Sequence, residues 1–201
     1  MKRVFFIVAA LSIAFNTKAQ KRLQPMSLII EQSWEKYYKG WWRKDATQQM
    51  IKFPSLMAAL PSALYVYCNN ESDTKLVVRQ VVPNEHAGPN EKKTKVDSTE
   101  IRTDGATALA FGDLIEHAVM TSMYIGERIG FDGTRYFFES SFNIATTWSP
   151  VGNSKKLTDV LERAMAAVRS RSEDELKGLL PEVKSLTEEF KKLYPLSVET
   201  E

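Results

Sequence analysis

After an apolar run at the very start of the chain, apolar positions recur first at helical spacing, then at strand spacing, then at helical spacing again. Beyond Pro25, which suits the first turn of a helix, Ile30, Trp34, Tyr37, Tyr38, Trp41 and Trp42 follow one another in the three- and four-residue steps of a single helical face. Gly40 interrupts this aromatic stripe; if the helix stops there, Trp41 and Trp42 fall in the turn that follows. Pro54 and Pro61 bracket Ser55 to Leu60, room for one or two helical turns, so residues 20–60 read as mainly helical.

The period then shortens. Ala63 to Cys68 and Thr74 to Val82 are rich in β-branched and aromatic residues, and the polar stretch Asn69 to Asp73 between them predicts a hairpin. Asn84 to Lys95, with Gly88 and Pro89, reads as a long polar loop. From Gly112 onward Leu114, Ile115, Ala118, Val119 and Ser122 return to helical spacing, with Asp113 placed to cap the helix start. Asp132-Gly133 between Tyr124 to Phe131 and Thr134 to Phe142 predicts a second hairpin. Residues 63–148 therefore read as a sheet region with a central helix.

Ser149 to Asn153 is a connection, and residues 154–194 read as a helix pair. One stripe is Leu157, Val160, Leu161, Ala164 and Val168; the other is Leu176, Leu179, Val183, Leu186, Phe190 and Leu193. Between them Ser172 and Glu175 have the spacing of a capping box, with Asp174 adding negative charge at the helix start. Pro181 lies opposite the second seam and predicts a kink or split there. Together the patterns predict an α+β fold in one domain: antiparallel hairpins in a single sheet, packed by the N-terminal aromatic helix and the C-terminal helix pair.

The first nineteen residues stand apart from this domain. Lys2 and Arg3 precede the apolar run Val4 to Phe15, and the small residues Thr17 and Ala19 precede a cut that leaves Gln20 first. These are the parts of a secretory signal peptide, and the apolar run is too short for a spanning helix, which needs about 20 residues. Residues 1–19 are read as a leader and 20–201 as an exported domain, periplasmic or extracellular, with no stable membrane insertion after cleavage. Removing Lys2, Arg3 and Lys18 leaves 24 basic against 25 acidic side chains, so the formal charge moves from +2 to −1. Such a balance gives no field for holding phosphates, and nucleic acid is excluded as a partner. The single cysteine, Cys68, rules out an internal disulfide and leans the reading toward a bacterial envelope; the thiol itself reads as a small buried hydrophobe.

Chemistry-bearing motifs are scarce. The chain has no Gly-rich phosphate loop, no nucleophile elbow, no H-E-x-x-H and no C-x-x-C pair, and no cofactor or metal is expected. Asp113, Glu116 and His117 are the one polar constellation, gathered by a helix within about a 100° arc. They would ligate a divalent metal if His86 or Cys68 came close, or supply a general base next to a carboxylate; the simpler reading makes Asp113 the cap and the other two the wet side of the helix. Trp34, Tyr37, Trp41 and Trp42 are the candidates for binding a ligand or partner, against the alternative that the stripe is core. Lys36, Lys39, Arg43 and Lys44 surround them and would favour an anionic partner. The leading expectation is an exported, non-catalytic protein binding a small molecule or a protein partner. Behind it stand an assembly subunit using the C-terminal seam, and a small hydrolase or metal-dependent enzyme centred on Asp113, Glu116 and His117.

Overall fold

The computed structural model describes residues 23–25, 40–54, 60–68, 74–85, 93–122, 133–141, 143–148 and 150–193. Seven strands form one antiparallel sheet: β1 (Gln24–Pro25), β2 (Gln48–Pro54), β3 (Ser62–Cys68), β4 (Thr74–Pro83), β5 (Thr94–Arg102), β6 (Thr134–Ser140) and β7 (Asn143–Trp148). Their order across the sheet is β1-β7-β6-β2-β3-β4-β5. The helices are α1 (Gly105–Met120), α2 (Gly152–Ser170), α3 (Glu173–Gly178) and α4 (Leu180–Lys191). The fold is α+β, as the alternation of periods predicts.

Strand pleating sorts the core into two. Met50, Leu64, Val66, Leu76, Val78, Ile101, Tyr136, Phe138 and Ala145 face the helices and form the main core with Phe111, Leu114, Ile115 and the helix stripes. α1 crosses the middle of the sheet over β6, β3 and β2, α2 lies over β4 and β5, and α4 packs on both helices. α2 and α4 run antiparallel, tied by Lys156 to Glu189 at 2.7 Å and by Arg163 to Glu182. Glu162 of α2 reaches down to the sheet, accepting from Lys52 Nζ at 2.8 Å and from the Tyr136 hydroxyl. On the other face Ile51, Ala63, Tyr65 and Phe137 form a second, smaller apolar cluster.

The β3–β4 hairpin forms as predicted, and β4 also pairs with β5 along nine residue pairs. β5 extends well past the end of the expected loop; its residues are nearly all exposed, with only Ile101 buried, so no apolar alternation announces it. Of that loop, residues 86–92 lie outside the described residues.

Some expectations are corrected. Of residues 20–60, read as mainly helical, 20–22, 26–39 and 55–59 lie outside the described residues, and Gln48–Pro54 is a central strand bonded to β3 on one edge and β6 on the other. Its neighbours on the chain, Trp41 within a turn begun at Gly40 and Trp42 just after it, fit the reading in which the stripe ends at Gly40. α1 starts at Gly105, with Asp104 as its cap: the Asp104 carboxylate accepts from the Thr107 backbone N–H at 2.8 Å and from the Thr107 hydroxyl at 2.9 Å. Asp113 therefore sits two turns inside the helix and caps nothing. β6 does not take residues 124–131 as its hairpin partner, since β2 and β7 occupy both its edges and the chain turns into β7 at Ser141, which holds a positive φ of 50°. Residues 124–131 themselves lie outside the described residues. The C-terminal helix pair forms with its second member split at Pro181, as predicted: α3 ends at Gly178, α4 begins at Leu180 with Pro181 in its first turn, and Ser172 caps α3 by accepting from the Glu175 N–H.

Candidate functional site

Residues 40–47 lie across the sheet face opposite α1, α2 and α4, and they are fastened there by side chains from four strands. On β3 the alternate positions Ala63, Tyr65 and Tyr67 share that face; on β4 they are Lys75, Val77 and Arg79, and on β5 Val96, Ser98 and Glu100. Tyr65 is fully buried, and its hydroxyl donates to the Trp41 carbonyl. Arg79 donates to the Gly40 carbonyl at 3.1 Å and to the Tyr65 hydroxyl, while its guanidinium stands 5.6 Å from the centre of the Trp41 ring. A ring face and a cation held this way attract each other. Trp41 also meets Phe53 edge-on at 6.4 Å, and Phe53 meets Phe137 at 5.9 Å.

Beside this anchor opens a cavity of about 680 Å³. It is lined by Tyr65 and Tyr67 of β3, Lys75, Val77 and Arg79 of β4, Val96, Ser98 and Glu100 of β5, and Arg43 and Asp45 of the docked segment. Tyr67 donates to Asp45, and Lys75 pairs with Glu100 at 3.5 Å while standing 5.4 Å over the Tyr67 ring. Burial pushes the Tyr65 hydroxyl up to about 12 and raises Tyr67 as well, so both remain neutral donors at physiological pH. The positive charges of Arg43 and Arg79 both act on these two hydroxyls and pull against that rise.

A second polar group sits on the same face one strand pair away. The Gln49 side chain, wholly buried, accepts from the Arg43 backbone N–H at 3.1 Å and donates to the Arg43 carbonyl at 3.0 Å and to the Glu139 carboxylate. The Trp42 indole donates to Glu139 too. Burial raises Glu139 to about 7, against the pull of these two hydrogen bonds. Glu139 thus joins the segment carrying Trp41 and Trp42 to β6.

Of the sequence candidates, Trp41 and Trp42 are half-buried against the smaller apolar cluster and form part of the lid on that face. Trp34 and Tyr37 lie outside the described residues, as does His86. Asp113 is exposed on α1, and Glu116 and His117 are half-buried there. Asp113 faces Cys68, whose thiol is raised first by burial and then by that charge; His117 faces Glu188 of α4. Among the described residues no group of three or more His, Cys, Asp or Glu side chains stands close enough to hold a metal ion. Cys68 is half-buried against the main core. Tyr65, Tyr67, Lys75, Arg79 and Glu139 were not among the sequence candidates. Tyr-x-Tyr on one predicted strand and Lys-x-Val-x-Arg on its hairpin partner carried the signal, since period two puts all five residues on one face.

No family model, no curated protein and no solved structure matches this chain. Among the described residues no helix is long and apolar enough to cross a membrane.

Proposed function

We propose that the chain is an exported, non-catalytic binding protein, and that its ligand is a small molecule taken into the cavity on the sheet face opposite the helices. The observation that carries this reading is the cavity itself. About 680 Å³ falls within the 300–1,000 Å³ typical of ligand sites, and its lining combines ring surface with fixed hydroxyls and charges. Its walls are set in advance: Tyr65, Arg79 and Gln49 lock residues 40–47 in place, so little ordering is left for a ligand to impose. The leader at residues 1–19 supports export.

The assembly reading has less behind it, because Val183, Leu186 and Phe190 of the C-terminal seam are buried in the molecule's own core. The enzymatic reading on Asp113, Glu116 and His117 has less behind it too, because Asp113 acts on Cys68 while His117 acts on Glu188, so the two face different partners.

A fragment screen followed through backbone amide NMR shifts tests the proposal. Binding compounds should move the amides of Tyr65, Tyr67, Val77, Val96 and Ser98 together, and Val96→Trp, at a position 50% exposed, should block them without changing the melting temperature. Fragments that bind only elsewhere, or that bind the Val96→Trp protein equally well, would overturn it.

A further inference from the structure

We infer that the cavity is selective for a small organic anion, a carboxylate or phosphate ester with an apolar body, whose charged group sits between Arg43 and Arg79. This rests on the proposed binding role and adds the class of ligand.

The cavity's charges are unequally satisfied. Its two carboxylates are engaged within the wall, Asp45 by the Tyr67 hydroxyl and Glu100 by Lys75. Its two guanidiniums are not matched in this way: among the described residues neither Arg43 nor Arg79 lies within ion-pairing distance of a carboxylate. Both nevertheless line the same cavity and act on the same pair of tyrosine hydroxyls, so two like charges share one wall. Holding them together costs repulsion that an anion between them would relieve.

Arg79 is also preset for such a role. A guanidinium has five N–H donors in a rigid fork. One bond to the Gly40 carbonyl and one to Tyr65 orient that fork, the Trp41 ring centre stands 5.6 Å from it, and Arg79 lines the cavity. Fixed donors of this kind suit the two oxygens of a carboxylate or phosphate, since charge-assisted and bidentate bonds are the strong ones. Arg43 is exposed at the mouth, where it can close on the same group. The ligand's body then meets the Tyr67 ring, Val77 and Val96, where the third cation of the lining, Lys75, is already paired with Glu100.

Two fluorescent probes with the same aromatic body separate charge from shape. 8-Anilinonaphthalene-1-sulfonate carries an anionic group, and N-phenyl-1-naphthylamine lacks it. The proposal expects one saturable site on the folded protein, with the anionic probe bound about tenfold or more tightly than the neutral one. Benzoate and phenyl phosphate should displace the anionic probe. Arg43→Gln, an exposed change that leaves the fold intact, should weaken the anionic probe about tenfold and leave the neutral probe within about twofold. Arg79→Gln should do the same, with a thermal melt confirming that residues 40–47 stay docked. Val96→Trp should exclude both probes. Equal binding of the two probes, both excluded by Val96→Trp, would overturn the anion selectivity while leaving the cavity a ligand site. Failure of both probes to bind, or binding that Val96→Trp does not touch, would overturn the binding role as well.

Discussion

Glu139 shows how one side chain can set the pH response of a whole face. Its carboxyl is raised to about 7 by burial beneath Trp42 and beside Gln49, whereas in an unfolded chain it titrates at about 4.3. The folded state therefore holds the proton more tightly. The stability this contributes is complete below about pH 4.3 and is lost as the pH rises through about 7. Glu139→Gln keeps an acceptor for the Gln49 amide and the Trp42 indole but carries no charge to bury. Allowing for solvent screening of a half-exposed group, the variant should be more stable than the parent by about 1–2 kcal/mol at pH 8. The advantage should vanish near pH 4, and urea melts across that range check it. A Glu139→Gln protein that is equally stable or weaker at pH 8 would mean that water reaches the carboxylate freely. None of this was legible from the letters around Glu139, which sits in Phe-Phe-Glu-Ser with no patterned partner. Gln49 is ninety residues away in the chain and meets it only because β2 enters the sheet beside β6.

At the scale of elements, what the sequence announced depended on whether a strand has one wet face. β3 and β4 alternate or run apolar between clear turn signals, and they were readable. β2 was not, because Gln48 and Gln49 are buried polar residues at its start and both of its faces are covered, Met50 in the main core and Ile51 in the smaller cluster, which leaves no polar periodicity to see. β5 failed for the opposite reason, being polar nearly throughout. The start of α1 was misplaced because Gly105 to Ala110 lack a long apolar stripe, although Asp104 followed by Thr107 carries a capping signal. The seating of α1 on β2 has its own test. Gly112 is buried, and a Cβ there would come within 2.7 Å of the Gln48 side-chain oxygen. Glycine in a helix interior costs about 1 kcal/mol relative to alanine. In a Gln48→Ala background, Gly112→Ala should therefore stabilise the protein by about 1 kcal/mol, the obstructing oxygen being gone. In the parent it should gain nothing or destabilise, because Gln48 must move. A double-mutant cycle from chemical denaturation measures the difference, and additivity of the two changes would show that α1 and β2 are not in close contact at this point.

For the molecule as a whole, the sheet divides the described residues into a helix-covered side, which holds the main core, and the side on which residues 40–47 dock. The N-terminal end of the described chain belongs to the first of these. Leu23 is fully buried in the main core, and Gln24–Pro25 pair with β7 at the sheet's edge. A cut after Ala19 leaves only three residues ahead of Leu23, so the expected leader stops where the packed domain starts. Two consequences distinguish a removable leader from an integral segment. A chain beginning at Gln20 should melt at the temperature of the chain beginning at Met1, and mass spectrometry of any protein recovered outside the cytoplasm should find Gln20, or a residue within a few positions of it, at the N-terminus. Leu23→Ala should cost about 2–5 kcal/mol, as for a large aliphatic side chain removed from a packed interior. A chain starting at Met26, which lacks both Leu23 and the β1 pairing, should fall at least as far. If the Gln20 chain were as unstable as the Met26 chain, residues 1–19 would be part of the folded domain and the export reading would fall with them.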